Sequence, residues 1–215
     1  TLKSKIAVAF SYLRYLMISR HRKGHGVHSP FVFDFVSKVI FDKTKYPEYD
    51  FFNKAVSSLK KTNEKIQVED LGENTLKFRS KYRQVNDLVS ISSIPPKYGK
   101  LLFRISRYFK PNSIIELGTS VGISSIYLSK GSLQTSILTI EGNENLCDFA
   151  GRVIRQNQIK NVKIKHGNFD EALNDLPDEY TDPQLVFIDG NHKYEPTLRY
   201  YSFFKDKMKE GFVII

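Results

Sequence analysis

The sequence predicts an α/β fold: a doubly wound, Rossmann-like parallel sheet preceded by a mostly helical N-terminal extension. Three observations predict it. From residue 113 onward, short apolar runs alternate regularly with helix-periodic stretches, a texture that requires right-handed crossovers and a parallel sheet covered on both faces. A glycine-bearing turn, "ELGTSVGISS", follows the first of those runs. Before residue 113 the apolar spacing is mainly helical. The expected division places a helical extension at 1–96 and a Rossmann-like domain at 97–215, incomplete at its C-terminal end.

Taken in order, residues 4–20 read as a helix, with Ile6, Phe10, Leu13 and Met17 on one apolar face. Two glycines in "RHRKGHGVHSP" break it, and Ser29 before Pro30 reads as an N-cap and first helical residue. A helix through "FVFDFVSKVIF" follows, then another over "EYDFFNKAVSSLKK". A short strand is expected at Ile66–Val68 and a helix over "KYRQVNDLVSIS". That helix stops at Pro95-Pro96, and the next covers "KYGKLLFRISRYF". The alternation then runs "SIIEL" strand, "GISSIYLSK" helix, "SILTI" strand, "ENLCDFAGRVIRQN" helix and "NVKIKH" strand. It continues through "FDEALNDL" helix, "QLVFID" strand, "EPTLRYYSFFKDKMK" helix and "GFVII" strand. The chain ends inside this fifth strand, so a truncated domain is expected.

Composition narrows the class. A hydrophobic content of 40% with 13% aromatic residues over 215 positions favours a packed core over disorder. The apolar stretch "IAVAFSYLRYLMI" is too short to span a bilayer and contains Arg14, so no transmembrane segment is expected; without a small-residue cleavage site, neither is a secretory leader. The single Cys147 permits no internal disulfide and suits a reducing cytoplasm. The net charge of +10 is uneven: residues 1–110 carry 22 Lys/Arg against 9 Asp/Glu, and residues 111–215 carry 11 against 14. The basic half reads either as a solvated surface or as a face for an anionic partner such as nucleic acid. The helices of residues 1–60 are open to three roles: acceptor pocket, homodimer face or anionic docking surface.

In an open parallel sheet, ligands bind beyond the carboxyl ends of the strands. Gly118 lets the chain turn sharply off the first strand, and Gly122 stands at the start of the next helix, whose free N–H groups suit an anion. The spacing is neither a dinucleotide fingerprint nor a P-loop. Glu141 ends the second strand, placed to accept hydrogen bonds from ribose hydroxyls. After the third strand, Asn168 can pair with an adenine edge and Phe169 can cover the ring. Three successive strand ends thus carry groups suited to an adenosine-bearing ligand. Asp189 ends the fourth strand in "LVFIDGNHKY", with His192 and Tyr194 just beyond.

Together, "IIELGTSVGISSIYL", "TIEGNENLCDFA", "GNFDEAL" and "VFIDGNHKYEPTLRYYSFFKDKMKEGFVII" resemble the class I S-adenosylmethionine-dependent methyltransferases. Within them they are most similar to the small-molecule O-methyltransferase-like branch with its F-I-D-G-x-H-x-Y signature. The resemblance covers residues 97–215, and "HGVHSPFVF" is similar to N-terminal extensions of bacterial methyltransferases. It implies that Glu116, Gly118, Thr119, Ser120, Gly122 and Ser124 surround the methionine part of the cofactor. Glu141 with Gly142 and Asn143 would take the ribose, and Asn168 with Phe169 the adenine. In metal-dependent, catechol-type relatives the position of Asp189 resembles the first carboxylate ligand of a Mg²⁺, whose other acidic ligands follow the fifth strand. Asp189 is therefore either a metal ligand or a contact to the cofactor's amino group. The family type has a lysine base three residues further on; here His192 stands there, with Lys193 beside it, and serves either as the base or as a brace or helix cap.

The function implied is methyl transfer to a hydroxyl of a small-molecule acceptor. The alternatives are a nucleic-acid methyltransferase using the basic half, and a non-catalytic cofactor-binding module. Other candidates are weaker. His21, His25 and His28 have helical metal-ligand spacing, but glycines interrupt it and no acid or thiol completes the set. Cys147 reads as packing, and "SSIPPKYGK", with Lys97 and Tyr98, reads as a lid or acceptor wall.

Overall fold

The computed structural model describes residues 29–68 and 81–208, residues 10, 11 and 14, and the strand Val213–Ile214. Residues 10, 11 and 14 are helical, as expected of the first helix; the rest of that segment and His21, His25 and His28 lie outside the described residues. The chain forms two compact units, Thr1–Thr44 and Lys45–Ile215. Among the described residues no helix is long and apolar enough to cross a membrane.

In the first unit, α1 (Pro30–Phe35) begins as its sequence dictates. Pro30 occupies the first turn, and the Ser29 hydroxyl accepts the Val32 N–H at 3.4 Å. The chain continues in π-helical geometry through Val36–Ile40.

The second unit opens with α2 (Glu48–Lys61), acidic in its first turn and basic in its last, in keeping with the helix dipole. A two-stranded antiparallel ribbon follows, β1 (Lys65–Gln67) with β2 (Tyr82–Gln84), in the register Lys65↔Gln84. The helix expected from Lys81 begins only at Val85, because Tyr82–Gln84 are drawn into this pairing. A long-range partner overrides local periodicity, which registers no such contact. Helix α3 (Pro96–Phe109) then leads into the alternating region.

There β3 (Ser113–Leu117), β4 (Ser136–Glu141), β5 (Val162–His166), β6 (Leu185–Ile188) and β7 (Val213–Ile214) form one parallel sheet in the order β5-β4-β3-β6-β7. Between them run α4 (Ile123–Gly131), α5 (Glu144–Gln156), α6 (Phe169–Asn174) and α7 (Tyr194–Lys207). The doubly wound parallel sheet read from the sequence is present, and every residue of β3 is buried, as a central strand covered on both faces requires.

Alternate residues face opposite sides. Ile115, Leu117, Leu138, Ile140 and Val186 pack with Ala172 and Leu173 of α6 and with Tyr200 and Phe204 of α7. On the other side α4 covers the sheet, its Ser125 reaching Glu116. Helices α3 and α4 meet closely: a Cβ on Gly99 would lie 2.2 Å from the Tyr127 ring. Phe52 of α2 completes an aromatic cluster, its ring 4.2 Å from that of Tyr127 and 5.4 Å from that of Phe103. Through these contacts residues 45–96 share a compact unit with the sheet, whereas the change of sequence texture suggests a division at 96/97. Composition does not register which aromatic rings meet.

Glu116 is a fully buried carboxyl in the middle of this core. The Ser125 hydroxyl donates to its Oε2, while Oε1 has no hydrogen-bond partner among the described residues. Burial pushes its pKa up to about 7; the hydroxyls of Ser124, Ser125 and Thr139 offset part of that rise, and the Asp189 charge adds to it. The folded state therefore holds a proton that the unfolded state releases near 4.5, so stability falls as pH rises through the window from about 4.5 to about 7. Glu116→Gln should flatten that slope, recovering up to about 3 kcal/mol at pH 8 in urea titrations run at several pH values. Gly99→Ala should destabilise by about 1–3 kcal/mol in the same assay, because Tyr127 is packed too tightly to withdraw.

Candidate functional site

The site forms where β3, β4 and β6 end. Leaving β3, the chain turns through Gly118 at φ 104°, Ser120 at 49° and Gly122 at 84°. At Gly118 a side chain is excluded twice over: the φ is left-handed, and a Cβ would lie 2.5 Å from the Asp189 carbonyl oxygen. The first and fourth strand ends touch there, and the Asp189 N–H donates to the Leu117 carbonyl at 2.9 Å. Gly122 is the N-cap of α4. The Thr119 and Thr139 hydroxyls share a hydrogen bond of 2.6 Å, fixing the turn to β4.

Glu141 binds this turn to the second strand end. Its Oε2 accepts the Ser120 N–H at 2.8 Å and its Oε1 the Asn143 N–H at 3.0 Å. Burial raises the Glu141 pKa, and the backbone N–H groups of Ser120, Asn143 and Gly142 and the neighbouring His166 pull it back. His166 lies opposite Glu141 in the β4–β5 register. Its Nε2 is 3.1 Å from the Gly142 carbonyl, which can only accept, so the ring nitrogen donates.

Both asparagines of the expected cofactor set are helix caps. The Asn143 side-chain oxygen accepts the Leu146 N–H at 3.0 Å, and that of Asn168 the Asp170 N–H at 2.9 Å. For Asn168 this leaves the amide nitrogen for a ligand. Phe169, the first residue of α6, lies edge-on to Tyr200 with centroids 5.7 Å apart, and its ring fills the space where a Cβ of Gly190 would stand.

After β6, Asn191 is held at φ 52°, and its amide nitrogen donates to the buried Tyr200 hydroxyl at 3.3 Å. His192 Nε2 stands 4.0 Å from Asp189 Oδ1. Partial burial raises the Asp189 pKa, and the His192 charge pulls it back. His192 is 60% exposed, free to reach a group outside the fold.

A small pocket gathers Gly118, Thr119, Ser120 and Ser124 with Asp189, and Ser93 and Ile94 wall it from the segment before α3. Glu141 adjoins it through the Ser120 hydrogen bond and in turn holds the Asn143 N–H; Glu116, Gly122, Gly142, Asn168, Phe169 and His192 lie outside its lining. The wall expected from "SSIPPKYGK" is supplied by Ser93 and Ile94, while Tyr98 stands half exposed outside. Sequence reasoning also missed Ser125, Thr139, His166 and Tyr200. Of these only His166, which ends the third strand of the alternation as Glu141 ends the second, left a signal in the sequence. Cys147, whose thiol burial pushes up to about 12, is unsuited to act as a nucleophile.

Among the described residues no three His, Cys, Asp or Glu side chains gather to hold a metal. Asp189 brings a single carboxylate, whereas Mg²⁺ demands a near-octahedral oxygen shell. The other acidic ligands expected after the fifth strand would follow Ile215.

Comparison with known proteins agrees with this geometry. Residues 115–215 match a family model described as a methyltransferase domain. A protein of Mycobacterium sp. (strain JLS), provisionally named an O-methyltransferase, is 26% identical over 134 residues, covering 60% of this chain and 58% of the relative. Among solved structures, an O-methyltransferase from Bacillus cereus in complex with SAH superposes with a TM-score of 0.54 at 20% identity, over 84% of this chain and 69% of that one. The O-methyltransferase TomG from Streptomyces achromogenes, in complex with SAM, gives 0.52 at 24%, over 57% and 56%. At these identities the structural likeness is one of fold, and the chain spans a little over half the length of the curated relatives it matches. Residues 115–215 thus match the sequence model of a methyltransferase domain, and their parallel sheet has a Rossmann-like order.

Proposed function

We propose that the chain is an S-adenosylmethionine-dependent O-methyltransferase acting on a hydroxyl of a small molecule. The observation that carries this reading is the closure of the Gly118–Ser124 turn on two sides, by the Glu141 carboxylate and by Asp189. A rigid turn lined by N–H and hydroxyl groups, with a ribose-type acid on one side and an acid–histidine pair on the other, suits a cofactor with a charged tail and a reactive centre.

In this reading Gly118, Thr119, Ser120, Gly122 and Ser124 hold the methionine portion. The unpartnered Glu116 Oε1 suits a donor reaching in from it. Glu141, with Gly142 and Asn143, takes the ribose hydroxyls, and the Asn168 amide with Phe169 takes the adenine. When bound, the cofactor supplies an electrophilic methyl group on a sulfonium. The protein's part is to align the acceptor oxygen in line with it and to remove its proton. His192 is the group proposed to take that proton, and Asp189 to stabilise the imidazolium that forms. The geometry supports this, since His192 is exposed on the acceptor side while Asp189 lines the pocket. A reducing, cytoplasmic setting is consistent with the single cysteine.

Calorimetric titration should give binding of S-adenosylhomocysteine and none of NAD. Glu141→Ala should weaken it by about 10-fold or more, the loss of charge-assisted hydrogen bonds; unchanged affinity would show that the ribose lies elsewhere. With a methyl-labelled cofactor and a panel of phenolic and catecholic acceptors, His192→Ala should lower turnover by about 10²–10⁴-fold while leaving S-adenosylhomocysteine affinity intact. Equal turnover in wild type and variant would remove His192 as the base.

A further inference from the structure

Two adjacent tyrosines on α7 have opposite fates. Tyr201 is 45% exposed, whereas Tyr200 is 2% exposed and shares a buried cluster with Phe204, Leu117 and Ile140. A phenylalanine would bury the same ring with no hydroxyl to satisfy; a buried phenol needs a partner for its oxygen. That partner is the Asn191 amide nitrogen, at 3.3 Å. The Tyr200 ring also meets Phe169, with centroids 5.7 Å apart and planes at 81°.

Asn191 is tied through both its side chain and its backbone. Its φ of 52° is left-handed, a conformation that a residue with a side chain enters only at some cost. Its carbonyl accepts the Lys193 N–H at 2.7 Å, and its side-chain oxygen is buried with no hydrogen-bond partner among the described residues. A strained backbone and an unmet oxygen both cost free energy, and the bond to Tyr200 offsets part of it. His192 follows directly. It is 60% exposed, and its Nε2 lies 4.0 Å from Asp189 Oδ1, beyond hydrogen-bond range. Asp189 therefore does not fix the imidazole ring; the backbone leading into it does.

We propose that Tyr200 is a positioning residue for the proton-accepting step: its hydroxyl, through Asn191, sets where His192 stands relative to Asp189. The proposal rests on the reading of His192 as the base. Tyr200 is buried and outside the lining of the pocket, so it acts from beneath the loop and not on the reacting atoms. In Tyr200→Phe the ring, its packing and its contact with Phe169 are kept and only the hydroxyl goes, so a change in turnover reports the hydrogen bond. Tyr180 supplies the comparison. It is equally buried, and its hydroxyl shares a 2.6 Å hydrogen bond with Ser136 at the start of β4, the opposite end of the sheet from the site.

The test measures methyl transfer, S-adenosylhomocysteine affinity and amide hydrogen exchange in one set of variants. Tyr200→Phe should lower kcat by about 10–10²-fold, with KM and S-adenosylhomocysteine affinity within about 2-fold of wild type. The Lys193 amide, which bonds to the Asn191 carbonyl, should exchange about 10-fold faster. Asn191→Gly, which suits the left-handed φ, should lower kcat similarly, and the double variant should fall no further than Asn191→Gly alone. Tyr180→Phe should leave all three readouts unchanged. The proposal is overturned if Tyr200→Phe leaves kcat or Lys193 exchange at wild-type values, or if Tyr180→Phe lowers kcat as much. If His192→Ala turns over like wild type, the reading of His192 falls and this role of Tyr200 falls with it. If His192→Ala is impaired and Tyr200→Phe is not, only the Tyr200 assignment falls.

Discussion

The close pairing of β3 with β6 is the constraint on which the rest of the site depends. These strands are neighbours in space but successive strands of the domain lie on opposite sides of them: β4 and β5 follow outward from β3, β7 from β6. Connections leaving the two strand ends diverge to opposite faces, α4 to one and α7 to the other, and a crevice opens between them. Its depth is set by contact of the Gly118 backbone with the Asp189 carbonyl, closer than any side chain allows. Everything with chemical potential sits around that contact: the Gly118–Ser124 turn on one side and the Asp189–His192 loop on the other.

Two glutamates near this crevice show how environment decides the use of one side chain. Glu116 is fully buried in the core and carries an oxygen without a partner among the described residues, so its neutral form is favoured although the neighbouring hydroxyls offset part of that effect. Glu141 stands at the strand end, where backbone N–H groups from two turns converge on its carboxylate and offset part of the rise that burial causes. Hydroxyls compensate a buried negative charge poorly, and oriented peptide N–H groups compensate it well. The first carboxyl is suited to tuning the pocket from beneath, the second to anchoring it from the side.

The loop after β6 is braced by a separate arrangement. Gly190 makes room for the Phe169 ring, Phe169 lies edge-on to Tyr200, and the Tyr200 hydroxyl receives the Asn191 amide. The third and fourth strand ends are thereby packed into one body beneath the crevice. Asn191 adopts a left-handed conformation between Asp189 and His192, a cost that these contacts offset.

Much of this was legible in the chain. Apolar runs interrupted by glycine or asparagine mark strand ends whatever the tertiary context, because periodicity and turn chemistry are local. Hence the parallel sheet, the Gly118–Ser124 turn and the acids Glu116, Glu141 and Asp189 were all readable as candidates. What periodicity does not carry is partnership. The strand Tyr82–Gln84 exists through its pairing with Lys65–Gln67. The helix Glu48–Lys61 joins the sheet-bearing unit through rings meeting Phe103 and Tyr127. Asn143 and Asn168 looked like ligand contacts, and their oxygens turned out to be committed to helix caps.

By itself, then, the sequence determined the order of elements and the residue types delivered to each strand end, since both follow from spacing along the chain. Only the tertiary structure decided which of those residues share a pocket and which oxygens are already occupied. Those are distances between segments far apart in sequence, set by packing that no local pattern encodes.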